Sequence, residues 1–341
     1  MSTGPSWDGT WSSAERAETS ISSKAPPKVR QLRLWPGITA GELVREMGAT
    51  GVLGGGRIGA AADVVEHMFR GTDFTNFLTL AGPMVPSGFR LLMGDMIDRG
   101  FLDAIVTTGA NLTHDVIEAL GLHHYQGTFE VNDRQLIKKG YSRIADIFVK
   151  EKSFEILDKT VRRLLARIPV DERRGASVSD LLRKIGLLLQ DRNSILNKAA
   201  RNKVKIFSPG LLDSILGLSL WSFSQTELLQ LNPMADVTNM VEMAMTSKKL
   251  GVLILGGGLP KHHTLLASVL REGVDAAVQI TADRPEPGGL SGAPLAESIS
   301  WRKIRKGGEF VDVYGDATVC FPLIMAAVLG KVKKRLRTFR E

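Results

Sequence analysis

The chain has 341 residues, enough for one large α/β domain or two smaller ones with a substantial buried core. Its 43% apolar and 23% charged residues are ordinary for a soluble globular protein. The net charge of +8 allows an acidic partner, but basic and aromatic residues do not alternate, so we expect no direct nucleic-acid binding. A single cysteine, Cys320, excludes an internal disulfide and a cysteine-based zinc site, and it fits a cytoplasmic location.

The first 30 residues are polar and rich in serine, without the apolar centre of a signal peptide. We predict a flexible arm over 1–30, followed by a single domain over 31–341. No apolar run approaches the roughly 20 residues that a membrane-spanning helix needs, so no membrane association is expected.

Strands and helices alternate after the arm. Apolar runs that end in small or polar residues predict strands at 74–82, 102–109, 203–210, 252–258, 274–281 and 309–316. Amphipathic segments predict helices at 40–47, 60–69, 89–100, 154–168, 177–191 and 237–251, the last ending at Gly251, and one after 109 capped by Asn111 or Thr113. Continuous apolar strands separated by helices predict a doubly wound, mostly parallel, Rossmann-like sheet.

Several predicted strands end in glycine or in small polar residues. Such turns let backbone N–H groups approach a phosphate at the carboxyl edge of a parallel sheet. These strand ends are 81–82, 107–109, 256–258, 281–282 and 315–317. A nucleotide site and a set of plain tight turns both remain open on this pattern. The G-x-G-x-x-G segment at 54–59 lacks a full strand before it, so we interpret it as the glycine-rich start of a helix.

The segment ESISWRKIRK, residues 297–306, places Lys303 beside Trp301 and among three other cations, Arg302, Arg305 and Lys306. Like charges and an apolar neighbour disfavour the protonated form of a lysine, which is one way to obtain a nucleophile. The alternative is a solvated basic turn.

The segment GGGLPKHH, residues 256–263, follows a predicted strand, and Pro260 fits the first turn of a helix. A histidine there, His262, feels the positive end of the helix dipole and is expected to stay neutral and able to accept a proton. Adjacent histidines on a helix point in different directions, so no metal site is predicted here. His123 and His124 are interpreted as structural, without acidic neighbours at ligand spacing.

These segments together resemble the deoxyhypusine synthase family. The resemblance runs from about Gly37 to Leu329 and is carried by VTTGANLTHD, GTFEVNDRQLIKKGYSRIADIFV, KIFSPGLLD, VLILGGGLPKHH, GGLSGAPLAESISWRKIR and VYGDATVCFPLI. SWRKI resembles the S-W-G-K-I around the family's active lysine, and the TTGANLTHD and GGLSGA forms look archaeal.

The resemblance implies an NAD-dependent transferase with a Rossmann-like fold. Such an enzyme moves the 4-aminobutyl group of spermidine, through an imine on its lysine, to one lysine of translation initiation factor 5A. It also implies a cytoplasmic homotetramer with active sites at subunit interfaces.

By the same resemblance, Lys303 is the imine-forming lysine, Trp301 lines the amine tunnel, Glu297 holds the substrate amine, and His262 binds substrate and moves a proton. The resemblance and the strand ends together predict an NAD site at Gly82, Thr107, Thr108, Gly109, Asp213, Gly257, Gly258, Thr281, Ala282, Asp316 and Ala317.

Some positions depart from the family pattern. Leu218 and Leu290 replace two aspartates that grip the polyamine in eukaryotic members; Leu266 replaces an asparagine, His114 a glutamate and Arg302 a glycine. Two alternatives therefore stay open: a homospermidine synthase-type transfer to a small amine, and a non-catalytic oligomer that binds NAD or a polyamine. A sirtuin-like deacetylase is disfavoured, because its zinc module needs four cysteines.

Overall fold

The computed structural model describes residues 26–335. Most of the predicted arm, residues 1–25, therefore lies outside the described residues. Residues 26–35 are extended and exposed, and Arg30 Nη2 donates a hydrogen bond of 3.0 Å to Glu46 Oε1. Between residues 26 and 335, no helix has the length and apolarity needed to cross a membrane.

The described residues form nine strands in two sheets. The strands are β1 (Phe74–Leu80), β2 (Ala104–Thr107), β3 (His124–Gln126), β4 (Tyr141–Ile144), β5 (Ile147–Lys150), β6 (Lys205–Phe207), β7 (Lys249–Leu255), β8 (Val274–Thr281) and β9 (Ile304–Tyr314). The large sheet has the order β6-β2-β1-β7-β8-β9, and all its pairings are parallel. The predicted doubly wound α/β fold is confirmed. A small antiparallel sheet of order β3-β5-β4, which we did not predict, lies between β2 and β6 in the chain.

Helices connect the strands of the large sheet. They are α1 (Ala40–Ala49), α2 (Leu53–Arg70), α3 (Arg90–Asp98), α4 (Gly109–Ala119), α5 (Asp133–Lys138), α6 (Glu151–Ala166), α7 (Val170–Arg173), α8 (Val178–Leu188), α9 (Ile195–Arg201), α10 (Ile215–Ser224), α11 (Pro233–Thr246), α12 (Gly258–Ala267), α13 (Glu297–Ser300) and α14 (Ala317–Leu329).

Hydrophobic cores lie on both faces of the large sheet, which explains why its strands are apolar throughout. Side chains alternate between faces, so neighbours on β1 enter different cores. Leu78 belongs to the larger core, together with residues of α2 and α14. Phe77 belongs to the smaller core, with Met240 of α11 and Leu265 of α12.

The predicted end of the helix at 237–251 and the predicted cap of α4 were wrong. The helix expected at 237–251 ends at Thr246, and Gly251 lies inside β7 instead of ending the helix. Hydrogen bonding to β1 and β8 on both sides extends this strand towards its N-terminus. The cap of α4 is Thr108, whose Oγ1 accepts a hydrogen bond from Asn111 N, and not Asn111 or Thr113.

The glycine-rich segment at 54–59 lies within the first turns of α2, so its interpretation as a helix start is confirmed, although α2 begins before the predicted 60–69. The glycines serve helix packing. A Cβ on Gly59 would lie 2.2 Å from the Cα of Gly48 in α1, so the two helices touch through backbone.

Candidate active site

The predicted cofactor residues lie along one edge of the large sheet. Parallel strands bring their carboxyl ends to the same edge, and ligands of open α/β sheets bind there. The residues follow all six strands: Gly82 after β1, Thr107 to Gly109 at β2, Asp213 after β6, Gly257 and Gly258 after β7, Thr281 and Ala282 at β8, and Asp316 and Ala317 after β9. The structure therefore brings them together as one strand-end edge, while their contact with NAD stays a prediction.

Asn111 ties the ends of β1 and β2 together. Its side-chain amide donates to Gly82 O at 3.1 Å and to Thr107 Oγ1 at 3.3 Å, and its Oδ1 accepts from Val85 N at 3.1 Å. The side chain is buried, so these bonds replace its contacts with water. Sequence reasoning gave Asn111 only a capping role and missed this bridge.

The turn after β7 requires glycine for two reasons. Gly256 and Gly258 have positive φ angles of 79° and 57°, which side chains disfavour. A Cβ on Gly257 would lie 2.5 Å from Ser291 Cα, because the loop at 288–293 packs directly on this turn. The turn leads into α12, whose N-terminus has no side-chain cap among the described residues, and an uncapped helix N-terminus suits a pyrophosphate.

Polar residues complete the outer part of the edge. Asp316 caps α14 by accepting a hydrogen bond of 2.7 Å from Thr318 N. Thr281 Oγ1 accepts from Asp283 N at 3.1 Å, and Asp213 is exposed in the turn between β6 and α10. Glycine turns can offer backbone N–H donors to phosphate oxygens, and carboxylates can accept hydrogen bonds from ribose hydroxyl groups. Both kinds of group suit the binding of a dinucleotide.

The residues that the sequence assigns to the amine line one small cavity beside this edge. Its walls include His262 of α12, Glu297 of α13, Trp301, Lys303 and Leu290. The carboxylate of Glu297 forms no hydrogen bond or ion pair with the described residues, so it remains available for a cationic ligand. The structure thus places all four predicted amine-site residues around one space.

Lys303 lies just after α13, immediately before β9. Its Nζ is 5.3 Å from the centre of the Trp301 ring, which is a cation–π distance when the amine is charged. Its backbone is held on both sides, because Lys303 N donates to Ser298 O at 2.9 Å and Val274 N donates to Lys303 O at 3.0 Å. The lysine is therefore carried by hydrogen-bonded backbone at the start of β9, an edge strand of the large sheet.

The cations near Lys303 differ from those expected. Arg302, Arg305 and Lys306 do not line the cavity, and Arg305 Nη1 instead pairs with Asp275 Oδ1 at 3.0 Å. The second lysine of the cavity is Lys261, on α12. Arg305 is therefore engaged with Asp275, while the crowding of Lys303 by Arg302 and Lys306 stays a prediction.

Arg302 has a φ of 55°, in the left-handed region. Glycine adopts this conformation without strain, which gives a structural reason for the family's glycine at this place.

His262 and Lys261 both have lowered pKa values. Burial lowers the pKa of His262, with smaller contributions from the charges of Lys303 and Lys261, so the ring is neutral near pH 7 as predicted. Its buried Nδ1 has no hydrogen-bond partner among the described residues. Burial also lowers the pKa of Lys261 to about 8. Sequence reasoning missed Lys261, because only its burial distinguishes it from other lysines.

The positions that depart from the family pattern are only partly in the cavity. Leu290 forms part of its wall, whereas Leu218 and Leu266 are exposed on α10 and α12 and do not line it. His114 is buried on α4 and its Nδ1 lies 2.8 Å from His124 Nε2.

His124 has an acidic neighbour, contrary to expectation: its Nδ1 lies 2.7 Å from Glu118 Oε1. The helical turn of α4 and strand β3 bring these residues together. Within residues 26–335 no group of three or more acidic, histidine or cysteine side chains could hold a metal ion.

Fold and site together define an α/β protein with a glycine-lined strand-end edge and a lysine-containing amine cavity next to it. The model of the family "Deoxyhypusine synthase" matches residues 42–328. A "Probable deoxyhypusine synthase" from Methanothermobacter thermautotrophicus is 40% identical over 304 residues, which cover 89% of this chain and 98% of the relative. Another from Methanopyrus kandleri is 39% identical over 290 residues, 85% of this chain and 93% of the relative.

A crystal structure from Entamoeba histolytica, of a protein assigned as a deoxyhypusine synthase, has the same fold. It superposes with a TM-score of 0.64 at 22% identity and covers 88% of this chain and 96% of its own. The chain belongs to the deoxyhypusine synthase family, which confirms the resemblance stated from the motifs.

Proposed function

We propose that this protein is an NAD-dependent deoxyhypusine synthase. It transfers the 4-aminobutyl group of spermidine, through an imine on Lys303, to a specific lysine of translation initiation factor 5A. The observation that carries the proposal is the convergence of Lys303, Trp301, Glu297 and His262 on one cavity in a chain of this family.

Each of the four residues has a task that follows from its chemistry. Glu297, exposed and unpaired among the described residues, attracts an ammonium group of the donor. The Trp301 ring offers an apolar face to the butyl carbons and a π-face to a cation. Neutral His262 accepts the proton that the amine releases. Lys303 then attacks the oxidised carbon and forms the imine, and the rest of the donor leaves as an amine.

In this proposal NAD binds at the strand-end edge, where the glycine turn at Gly256 to Gly258 leads into the N-terminus of α12, which has no side-chain cap among the described residues. When bound there, NAD supplies the hydride acceptor that oxidises the amine. The chain's own contribution is to hold the dinucleotide through this turn, through Thr108 and Gly109, and through Asp316.

The proposal is tested by trapping. The protein is incubated with spermidine and NAD, reduced with borohydride, digested, and analysed by mass spectrometry for an aminobutyl adduct. We expect the adduct on Lys303, none in Lys303→Arg, and full yield in the matched control Lys306→Arg, a lysine outside the cavity. A folded wild-type protein without any adduct would contradict catalysis and favour the non-catalytic binding oligomer.

The second candidate is aminobutyl transfer to a small amine, as in homospermidine synthesis. Leu290 favours it, because the cavity wall lacks a carboxylate where eukaryotic members of the family have one. The two candidates share every residue named above, so only the molecule that accepts the aminobutyl group distinguishes them. Label from spermidine that appears on translation initiation factor 5A supports the first, and label in homospermidine after addition of putrescine supports the second.

A homotetramer in the cytoplasm is part of the same proposal. Large apolar side chains are exposed on α10 and α11, among them Trp221, Leu218 and Met234. Exposed apolar groups of this size mark interaction surfaces. Light scattering coupled to gel filtration measures the assembly directly, and a monomeric mass would contradict it.

A further inference from the structure

Lys261 is a buried lysine to which the proposed function gives no role. It lies on α12 next to His262, and only 2% of its surface is exposed. Its Nζ donates hydrogen bonds to the carbonyl oxygens of Leu290, at 3.2 Å, and Ala293, at 2.5 Å. It also lines the cavity that contains Lys303.

The hydrogen bonds of Lys261 match the neutral amine better than the ammonium. An ammonium has three N–H donors, whereas a neutral amine has two and a lone pair. The acceptors of this nitrogen among residues 26–335 are the two carbonyl oxygens. A third N–H would be buried without a partner, which is unfavourable. The neutral amine satisfies both its donors and keeps its lone pair free.

Burial outweighs the charges around Lys261. It is the largest cause that lowers the pKa of this lysine, to about 8, although Asp312 on β9 and Glu297 on α13 raise it. The charge of Lys303 lowers the pKa further and is the smallest of these contributions. His262, its neighbour on α12, is itself neutral near pH 7. Burial, more than the charge of Lys303, therefore disfavours the ammonium form of Lys261 in the cavity that the two lysines share.

We propose that Lys261 is the proton acceptor for Lys303: its neutral amine takes a proton from the Lys303 ammonium and so frees the Lys303 amine to form the imine. This inference rests on the proposed function, because it assigns a step to the imine chemistry at Lys303. It goes beyond that function by placing a second lysine in the reaction.

The step is a simple proton exchange. Before it, Lys303 is an ammonium and Lys261 an amine; after it, Lys303 is an amine and Lys261 an ammonium. No electrons move, and the two lysines carry one positive charge before and after this exchange. When the Lys303 amine displaces the remainder of the donor and forms the imine, Lys261 gives its proton to the departing amine. Lys261 thereby returns to its neutral form, while Lys303 keeps the butyl group as an imine.

A purely structural role for Lys261 makes a different prediction. In that case its two hydrogen bonds would only hold the loop at 288–293, which packs on the cofactor turn through Ser291. Lys261→Arg separates the roles, because a guanidinium keeps N–H donors for the two carbonyls but cannot accept a proton at these pH values. Lys261→Met removes both roles. Lys248→Met, at an exposed lysine, is the matched control.

The first measurement is the rate at which the full-length protein, with spermidine and NAD, forms the borohydride-trapped adduct on Lys303 between about pH 6.5 and about pH 10. We expect Lys261→Arg and Lys261→Met to be slower by about 100-fold near pH 7.5, as for loss of a general base. Their rates should recover at the high end, where hydroxide takes the proton. Lys248→Met should follow the wild type. A wild-type rate in Lys261→Arg would reduce Lys261 to a structural role and overturn the proposal.

The second measurement needs no substrate. NMR of the full-length protein, labelled with carbon-13 in its lysine side chains, gives over the same pH range the titration midpoint of each lysine, whether buried or exposed. We expect Lys261 to titrate near pH 8 and to shift upwards in Lys303→Met, because that change removes a neighbouring charge. An ordinary lysine midpoint for Lys261 overturns the proposal.

A wild-type protein that forms no adduct on Lys303 contradicts the proposed function itself, whereas an adduct unaffected by both Lys261 changes contradicts only the step assigned to Lys261.

Discussion

The strand-end edge and the amine cavity are neighbours, but different chemical groups form them. The edge consists mainly of backbone: glycine turns, a threonine cap at α4 and helix N-termini. The cavity consists of side chains whose charges face each other, with Glu297 opposite Lys303 and Lys261. A substitution at the edge should therefore act by steric collision, and one in the cavity by changed charge or lost nucleophile.

The largest effect is expected at the centre of the cavity. Lys303→Ala should reduce aminobutyl transfer on the order of 10³-fold or more, because no other group replaces a covalent nucleophile. Transfer of labelled butylamine measures it, and circular dichroism checks that the protein is folded. Near-normal transfer by the variant would mean that the imine forms elsewhere.

A collision at the edge should weaken folding and cofactor binding together. In Gly257→Ala the new Cβ meets the backbone at Ser291 Cα, 2.5 Å away, so we expect the free energy of unfolding to fall by about 1–3 kcal/mol. The affinity for NAD, measured by calorimetry, should fall as well. Gly289→Ala is the control, because a Cβ there meets nothing within 4 Å. Equal behaviour of the two variants would show that the turn tolerates a side chain.

A change of charge in the cavity should affect the amine but not the cofactor. Glu297→Gln keeps the shape and removes the negative charge, so the KM for spermidine should rise about tenfold, since hydrogen bonds to charged groups are worth about 1.5–3 kcal/mol. NAD affinity should stay unchanged. Glu286→Gln, at an exposed carboxylate, is the control. A loss of NAD binding without a change in KM would assign Glu297 to the edge instead.

The smallest effect concerns backbone strain between the two regions. Arg302 has a positive φ, so Arg302→Gly should remove strain while making the unfolded chain more flexible. We expect a net gain in the free energy of unfolding of at most about 1 kcal/mol, measured by urea denaturation, with adduct formation on Lys303 unchanged. Arg302→Lys keeps the Cβ and should show no gain. A clear loss of stability in Arg302→Gly would indicate an unrecognised role for the arginine side chain.

The fold was largely predictable, because strands buried on both faces are apolar from end to end and need no long-range information to be recognised. The boundary at Gly251 was wrong, because pairing of β7 with β1 and β8 lengthens the strand beyond its apolar run. The small sheet was missed because β3, β4 and β5 are short and only half buried, so they lack that pattern.

Site residues could be predicted where their chemical role depends on a short stretch of sequence. The SWRKI and GGGLPKHH segments carry their residue types in order along the chain, and the strand-end residues follow from turn composition. The surroundings of Lys303 were not predictable. Its sequence neighbour Arg305 forms an ion pair with Asp275, and the second lysine that lines the cavity, Lys261, belongs to α12. The bridge made by Asn111 was hidden for the same reason, since its partners Gly82 and Val85 come from another part of the chain.

The sequence by itself determined the parallel α/β class and predicted the edge proposed for a cofactor and the lysine, tryptophan, glutamate and histidine proposed for the amine site. Each of these depends on residue type and short spacing. Only the tertiary structure decided which charges share the cavity, because burial and hydrogen-bond acceptors come from distant segments. Lys261 is the clearest case: packing of α12 beneath the 288–293 loop buries its amine, gives it two carbonyl acceptors and places it on the same cavity as Lys303.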